Sequence, residues 1–230
     1  IFKINSNKNT PSYFINDPTL IKALLVKNHS NYKKGPGFER IKMLLGNGLI
    51  VSDGETWRRA RTMIQPSFAR LNIHRLVQQM LTCSKNRALQ WDLLIAKNQP
   101  INITEEMSEF ALELILKSIF GEDYDALISK GSENPFAFLS KDSTRDLTVV
   151  MKMRSLRSHL LSIVTNRRQL KSETIDYDFL SMYLKAEDKS GNKFTDAELI
   201  DEIITLIVAG YETSAGTLNW AWYLLSKHKD

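Results

Sequence analysis

The strongest constraint on the fold is a run of 23 residues, 203–225, that holds a single charge, Glu212. Just before it, Thr195-Asp196-Ala197-Glu198 has the pattern of a capping box. From there the helical pattern continues to about Lys227, a helix of roughly 46 Å at about 1.5 Å per residue. Such a length permits a membrane span, but the centre of the run argues against one. Gly210, Glu212, Thr213, Ser214, Gly216 and Thr217 lie together there, and an acid at mid-membrane costs about 3 kcal/mol. The first turns carry Asp196, Glu198, Asp201 and Glu202 and no basic flank. A buried helix crossing the middle of a large domain is therefore expected. Its centre needs a reason. Glycine costs about 1 kcal/mol relative to alanine inside a helix, and the Thr213 hydroxyl can bond the carbonyl of Ala209 one turn back and loosen the helix. Two readings are open: a close helix–helix crossing with a satisfied polar pair, or a flat cofactor against Ala209 and Gly210 with a proton relay at Glu212 and Thr213.

The remaining pattern is mainly α. Ile1–Asn5 alternates like a strand, with Ser12–Ile15 as its partner and Asn7-Lys8-Asn9 as the turn. Asp17 and Pro18 start a helix whose apolar face is Leu20, Ile21, Leu24 and Leu25. A short helix is expected at 38–45. Ser52-Asp53-Gly54-Glu55 reads as a capping box for a helix carrying Trp57 and Arg61, stopped or kinked by Pro66. Asn72 caps a helix to about Ala96, and Thr104 caps another that ends at Gly121. One short and one long helix follow in 134–170, then a helix at 176–186 and a turn at Gly191. With no repeats or internal boundary, residues 1–230 read as one domain with a small N-terminal sheet. An apolar content of 43% with 25% charged residues marks a globular chain. The net charge of +5 reads as too dispersed for a nucleic-acid surface. A single cysteine, Cys83, excludes an internal disulfide or a cysteine-based zinc site, and the four histidines form no metal-binding pair. Residues 1–20 lack the apolar core of a signal peptide, which points to the cytoplasm.

Ala209-Gly210-Tyr211-Glu212-Thr213-Ser214 resembles the central-helix motif (A/G)-G-x-(E/D)-T-(T/S) of the cytochrome P450 superfamily, the haem-thiolate monooxygenases. A second segment agrees with it independently. Gly46-Asn47-Gly48-Leu49-Ile50-Val51-Ser52-Asp53-Gly54-Glu55-Thr56-Trp57-Arg58-Arg59-Ala60-Arg61, followed by Pro66-Ser67-Phe68, is similar to that family's entry to its C helix. Trp57 and Arg61 are four apart and share one helix face. An indole N–H beside a guanidinium suits a carboxylate, and the resemblance assigns these two residues to a haem propionate. It places Ala209 and Gly210 against the haem near the dioxygen site and gives Glu212 and Thr213 the delivery of protons. Ile50 and Val208, with Ala209, would line an apolar substrate pocket. The implied fold is the P450 fold, and the implied cofactor is haem b. The implied partners are dioxygen, a small apolar organic substrate and an electron-donor protein, either a ferredoxin or flavodoxin or a flavoprotein reductase. No flavin or nicotinamide motif occurs in the chain. Arg58 and Arg59 would either help dock an acidic redox protein or form a solvated face.

The sequence departs from that family in one respect that bears on catalysis. The Phe-x-x-Gly-x-x-x-Cys loop that supplies the iron ligand near the family's C-terminus is absent, and so is the family's helix that carries a Glu-x-x-Arg motif before that loop. Cys83 lies mid-helix with no glycine nearby and reads as a partly buried structural thiol. No metal ligand is therefore expected among these residues. The chain reads as the N-terminal and central part of such an enzyme, inactive by itself, and a membrane anchor ahead of Ile1 is compatible with the family. The stretch from Gly121 to Arg167 is short for the family, as a reduced lid or an incomplete sequence would make it. The alternatives to an enzyme are a helical binding or scaffold protein and a helical membrane protein using 203–225.

Overall fold

The computed structural model describes residues 1–4, 11–121, 123–129, 135–141, 147–169 and 178–228. It divides into two compact units, Ile1–Phe38 and Glu39–Asp230. In the first, β1 (Phe2–Ile4) and β2 (Ser12–Phe14) pair antiparallel, with Phe2 opposite Phe14 and Ile4 opposite Ser12. The expected turn at Asn7-Lys8-Asn9 lies outside the described residues. Helix α1 (Pro18–Lys22) begins as expected: Asp17 caps it by accepting the N–H of Leu20 at 2.9 Å, and Pro18 takes the first helical position. The helix then widens into a π turn over Ala23–Lys27 and tightens into a 3₁₀ turn over His29–Asn31. No residue of these elements is buried; of the expected apolar face, Leu24 is half-buried and Leu20, Ile21 and Leu25 are exposed.

Helix α2 (Gly37–Leu45) begins at the boundary of the units, and the second unit continues with α3 (Gly54–Ile64). Pro66 ends α3 in a 3₁₀ turn, Gln65–Phe68. Then come α4 (Arg70–Ala96), α5 (Ile103–Phe120), α6 (Asp123–Ser129), α7 (Ala137–Lys141), α8 (Leu147–Gln169), α9 (Phe179–Lys185) and α10 (Asp196–Lys227). The core forms where α5, α8, α9 and α10 meet. Leu116, Ile119, Leu160, Leu180, Leu199 and Ile203 are fully excluded from solvent there. Arg167 staples the same region. It is buried at the end of α8 and donates to Asp178 (2.9 Å), Asp123 (2.6 Å), the Ser181 hydroxyl (2.8 Å) and the Phe120 carbonyl (3.0 Å). A buried cation persists only when its donors are satisfied in this way.

Several helix starts differ from expectation. The capping box at Ser52–Glu55 does not form. Asp53 precedes the first helical residue, and Glu55 pairs instead with Arg58 at 2.7 Å. Helix α4 starts at Arg70, because the extended backbone of Ala69 already breaks from the preceding turn. Asn72 lies within its first turn and reaches back to the Pro66 carbonyl at 3.3 Å. Helix α5 starts one residue before Thr104, after Asn102. Helix α6 was not foreseen.

Helix α10 confirms its predicted box. The Glu198 N–H donates to the Thr195 hydroxyl at 3.3 Å, and the Thr195 N–H donates to the Glu198 carboxylate at 2.8 Å. Its burial is less uniform than expected. Leu199 to Ile207 supply most of its buried residues, whereas Trp220, Trp222, Tyr223, Leu224 and Leu225 are exposed. Among the described residues no helix is long and apolar enough to cross a membrane, which removes the support for a span at 203–225.

Candidate active site

The site is built on three pieces of the second unit: the loop before α3, helix α3 itself, and the middle of α10. The loop comes first because it is tied to α10 by its own backbone. The Asn47 N–H donates to Asp201 at 2.6 Å and the Leu49 N–H to Glu202 at 3.0 Å. Asp201 also pairs with Arg157 of α8 at 2.7 Å. Gly46 adopts φ +83°, and a Cβ there would overlap the Asp201 and Arg157 side chains. A Cβ at Gly48 would overlap the Thr205 hydroxyl and lie 2.6 Å from the Asp201 carbonyl. Two glycines around Asn47 thus let the loop lie directly on the helix.

From that anchor the chain turns tightly, with the N–H groups of Val51 and Ser52 both donating to the Gly48 carbonyl at 3.0 and 2.9 Å. Ile50 sits inside this turn and lines a cavity of about 490 Å³. Arg61, Ile64 and Phe68 border the same cavity, as do Tyr183 of α9 and Ala209 and Gly210 of α10. The volume falls within the ordinary range for a small-molecule site. The Arg61 guanidinium has no ion pair or hydrogen bond with another described residue; the other charged residue of the lining, Glu202, accepts the Leu49 N–H, and the rest is largely apolar. Trp57, one turn earlier on α3, is half-buried; it does not line the cavity.

A second cavity, of about 560 Å³, lies between α4, α5 and α10 and is lined by Phe110, Leu114, Ile115, Gly210, Thr213 and Thr217, among others. Gly210 borders both cavities, and its bareness serves packing as well. A Cβ on it would sit 2.7 Å from the Ile115 Cδ1. The close helix crossing therefore accounts for Gly210, while Ala209 stays exposed to the first cavity. The Thr213 hydroxyl donates to the Ala209 carbonyl at 2.7 Å, the bond expected from the sequence, and Thr217 repeats it to Thr213 at 2.9 Å. Glu212 is exposed and lines neither cavity.

The family model described as Cytochrome P450 matches residues 2–230. The chain belongs to the cytochrome P450 family. Among curated relatives it is 27% identical to cyclooctatin synthase of Streptomyces melanosporofaciens, over 95% of this chain and 50% of that protein. It is 29% identical to cytochrome P450 704C1 of Pinus taeda, over 96% of this chain and 49% of that protein. It is 25% identical to the chloroplastic protein LUTEIN DEFICIENT 5 of Arabidopsis thaliana, over 92% of this chain and 40% of that protein. Its fold matches the crystal structure of the cytochrome P450DA heme domain with a TM-score of 0.75 at 24% identity, over 93% of this chain and 48% of that one. A second P450 crystal structure matches with a TM-score of 0.78 at 21% identity, over 98% of this chain and 55% of that one. The chain spans 40–50% of the length of these curated relatives.

Of the residues singled out in this P450 sequence, Ile50, Arg61, Ala209 and Gly210 meet at one cavity, and Thr213 adjoins it across Gly210. Val208 does not line either cavity; it packs against the core instead. Arg59 is not available for docking. It donates to Asp188 (2.8 Å), Glu198 (2.7 Å) and the Lys193 carbonyl (3.0 Å). Tyr183 and Thr205 were missed as lining residues, because nothing in their local pattern separates them from core.

An unpaired guanidinium at the rim, an acid (Glu202) already engaged by the Leu49 N–H, and a wall of small residues fit a flat apolar group bearing carboxylates. Iron ligation does not fit the residues present. Cys83 is 3% exposed on α4, burial pushes its thiol up, and it faces neither cavity. Among the described residues no group of three or more histidines, cysteines, aspartates or glutamates could hold a metal.

Proposed function

We propose that this chain is part of a haem-dependent monooxygenase that inserts one oxygen atom of dioxygen into a small apolar organic substrate. The single observation that carries the reading is the meeting of Arg61 with Ala209 and Gly210 at one cavity, in a chain whose family is P450. Residues 1–230 would form part of one domain, with the cofactor, haem b, seated at that cavity and its iron ligand supplied by the portion of the relatives' length that this chain does not span. Haem, when bound, supplies the activation of dioxygen.

The chain's own residues have separate tasks. Arg61 at the cavity holds a propionate through its guanidinium fork, and Trp57, one turn before it and outside the cavity lining, would add its indole N–H to the same carboxylate from beyond the rim. Ala209 and Gly210 present a wall with little side chain, which admits a plate at close range. Ile50 and Phe68 keep the space apolar, which favours a hydrophobic substrate. The Thr213 hydroxyl is the local proton donor. Its proton points at the Ala209 carbonyl, and a rotation about its Cα–Cβ bond would redirect it. Exposed Glu212 connects that hydroxyl to solvent. Electrons come from a partner protein, a ferredoxin or flavodoxin or a flavoprotein reductase, and the protein acts in the cytoplasm.

The test uses the full-length protein. On reduction under carbon monoxide it should give the absorption spectrum of a thiolate-ligated haem; a colourless protein overturns the reading. Thr213→Ala should then retain that spectrum and lose about 100-fold in product formed per electron consumed, the scale of a lost acid catalyst.

A further inference from the structure

The Asp201–Glu202 pair is an unexplained feature of the site. Neighbouring carboxylates on a helix repel one another, yet here both point at one loop. Each accepts a backbone N–H from it, Asn47 at 2.6 Å and Leu49 at 3.0 Å. Those amides flank Gly48, whose carbonyl in turn closes the turn that carries Ile50. Glu202 is buried, and Asp201 is braced from its other side by Arg157. One turn further along α10, the buried Thr205 hydroxyl lies against Gly48. The route from Asp201 to the cavity wall is short and entirely covalent or hydrogen-bonded.

We infer that Asp201 and Glu202 are positioning residues that latch the Gly46–Ser52 loop onto α10 and so set how far Ile50 projects into the cavity. The latch is specific in its chemistry. Carboxylates accept backbone amides more strongly than neutral groups do, and glycine at 48 lets the backbone approach without a side chain between. Asp201 touches no ligand; it acts through Ile50. Asp201 lies outside the cavity lining, whereas Glu202 borders it, so the Asp201 arm of the latch governs discrimination among apolar ligands by size without touching Arg61. This rests on the haem-site reading for its ligand measurements but not for its structural one.

The experiment measures the full-length protein in two ways. The first is native-state hydrogen exchange at the Asn47 and Leu49 amides. Asp201→Ala should speed exchange at Asn47 by about tenfold or more. Asp201→Asn keeps an acceptor oxygen and should restore most of the protection. The second is optical titration with imidazole and with 1-hexylimidazole. Asp201→Ala should weaken 1-hexylimidazole by about tenfold, the scale of misplacing a methylene-sized contact, and leave imidazole unchanged. Gly48→Ala, which lifts the loop without altering any charge, should do the same. Ile50→Ala should weaken 1-hexylimidazole as well, and the double variant Ile50→Ala/Asp201→Ala should be no weaker than Ile50→Ala alone, since both act through one side chain.

Unchanged exchange in Asp201→Ala overturns the latch. Equal weakening of both imidazoles, or additive effects in the double variant, overturns its link to Ile50 and leaves Asp201 a plain structural residue. A wild-type protein that binds no haem overturns the functional reading instead, and amide exchange still decides the latch.

Discussion

Arg61 and Arg59 lie two residues apart on α3 and have opposite fates. Arg59 is consumed by the 186–198 region, where Asp188 and Glu198 share it. Arg61 has no described partner and faces a cavity. Arg61 is exposed at the cavity rim, where the proposed function gives it a haem propionate, so Arg61→Ala should weaken haem retention. A lost charge-assisted hydrogen bond is worth about 1.5–3 kcal/mol, or roughly 10- to 100-fold in dissociation rate, read from haem transfer to an excess of apomyoglobin. Arg61→Lys should recover only part of it, because an ammonium lacks the fork. Arg59 makes a different prediction. Its guanidinium hydrogen bond holds the Asp188 carboxyl well below the usual carboxylate range. An unfolded aspartate titrates near about 4. The folded value lies lower, so the contribution of Asp188 is complete above about pH 4 and is lost as pH falls below it. Thermal melts of wild type from neutral to acid pH should steepen in that window, and Asp188→Asn should fall less steeply there.

At the scale of elements, the legible features were those fixed within one turn of chain. The box at Thr195–Glu198, the Pro66 stop, the Thr213 bond to Ala209 and the glycine after α5 all appear where the residues place them. Gly121 yields a further expectation. It sits at φ +56°, ψ −127°, a region that favours glycine, and a Cβ there would lie 2.8 Å from the Asp178 carboxylate that holds Arg167. Gly121→Ala should cost about 1–3 kcal/mol in urea unfolding. Features that need a distant partner were not legible. The acids Asp201 and Glu202 read only as the negative start of a helix, because their partners lie 154 and 153 residues away. Val208 failed for a related reason: its neighbour Ala209 faces the cavity, and the rotation of α10 that decides between them is set by packing on α5. The meeting of Arg61 with Gly210 came from the resemblance of two motifs, and spacing alone would not have supplied it.

Taken whole, the molecule separates charge unevenly. Residues 1–38 hold six lysines and one acid, Asp17, which accounts for the entire net charge of +5; residues 39–230 are balanced at 25 basic and 25 acidic. The excess is therefore not dispersed, contrary to the first reading of composition. The second unit also shows an apolar flank on the last turns of α10, including Trp220, Tyr223, Leu224 and Leu225. Contiguous exposed apolar surface of this kind marks a contact face. Residues 1–230 by themselves should bind anilinonaphthalene sulfonate with stronger fluorescence than the full-length protein, and equal fluorescence would show that this flank stays bare. The latch acids, the small-residue wall and the Thr213 hydroxyl all belong to one uninterrupted helix, at fixed angles about a common axis. A single residue inserted between Glu202 and Ala209 would swing everything downstream by about 100°, aiming wall and hydroxyl elsewhere while the loop stayed put. The interval is fixed in length as well as in its buried side chains, so genetic drift there should admit conservative apolar replacements and reject insertions and deletions.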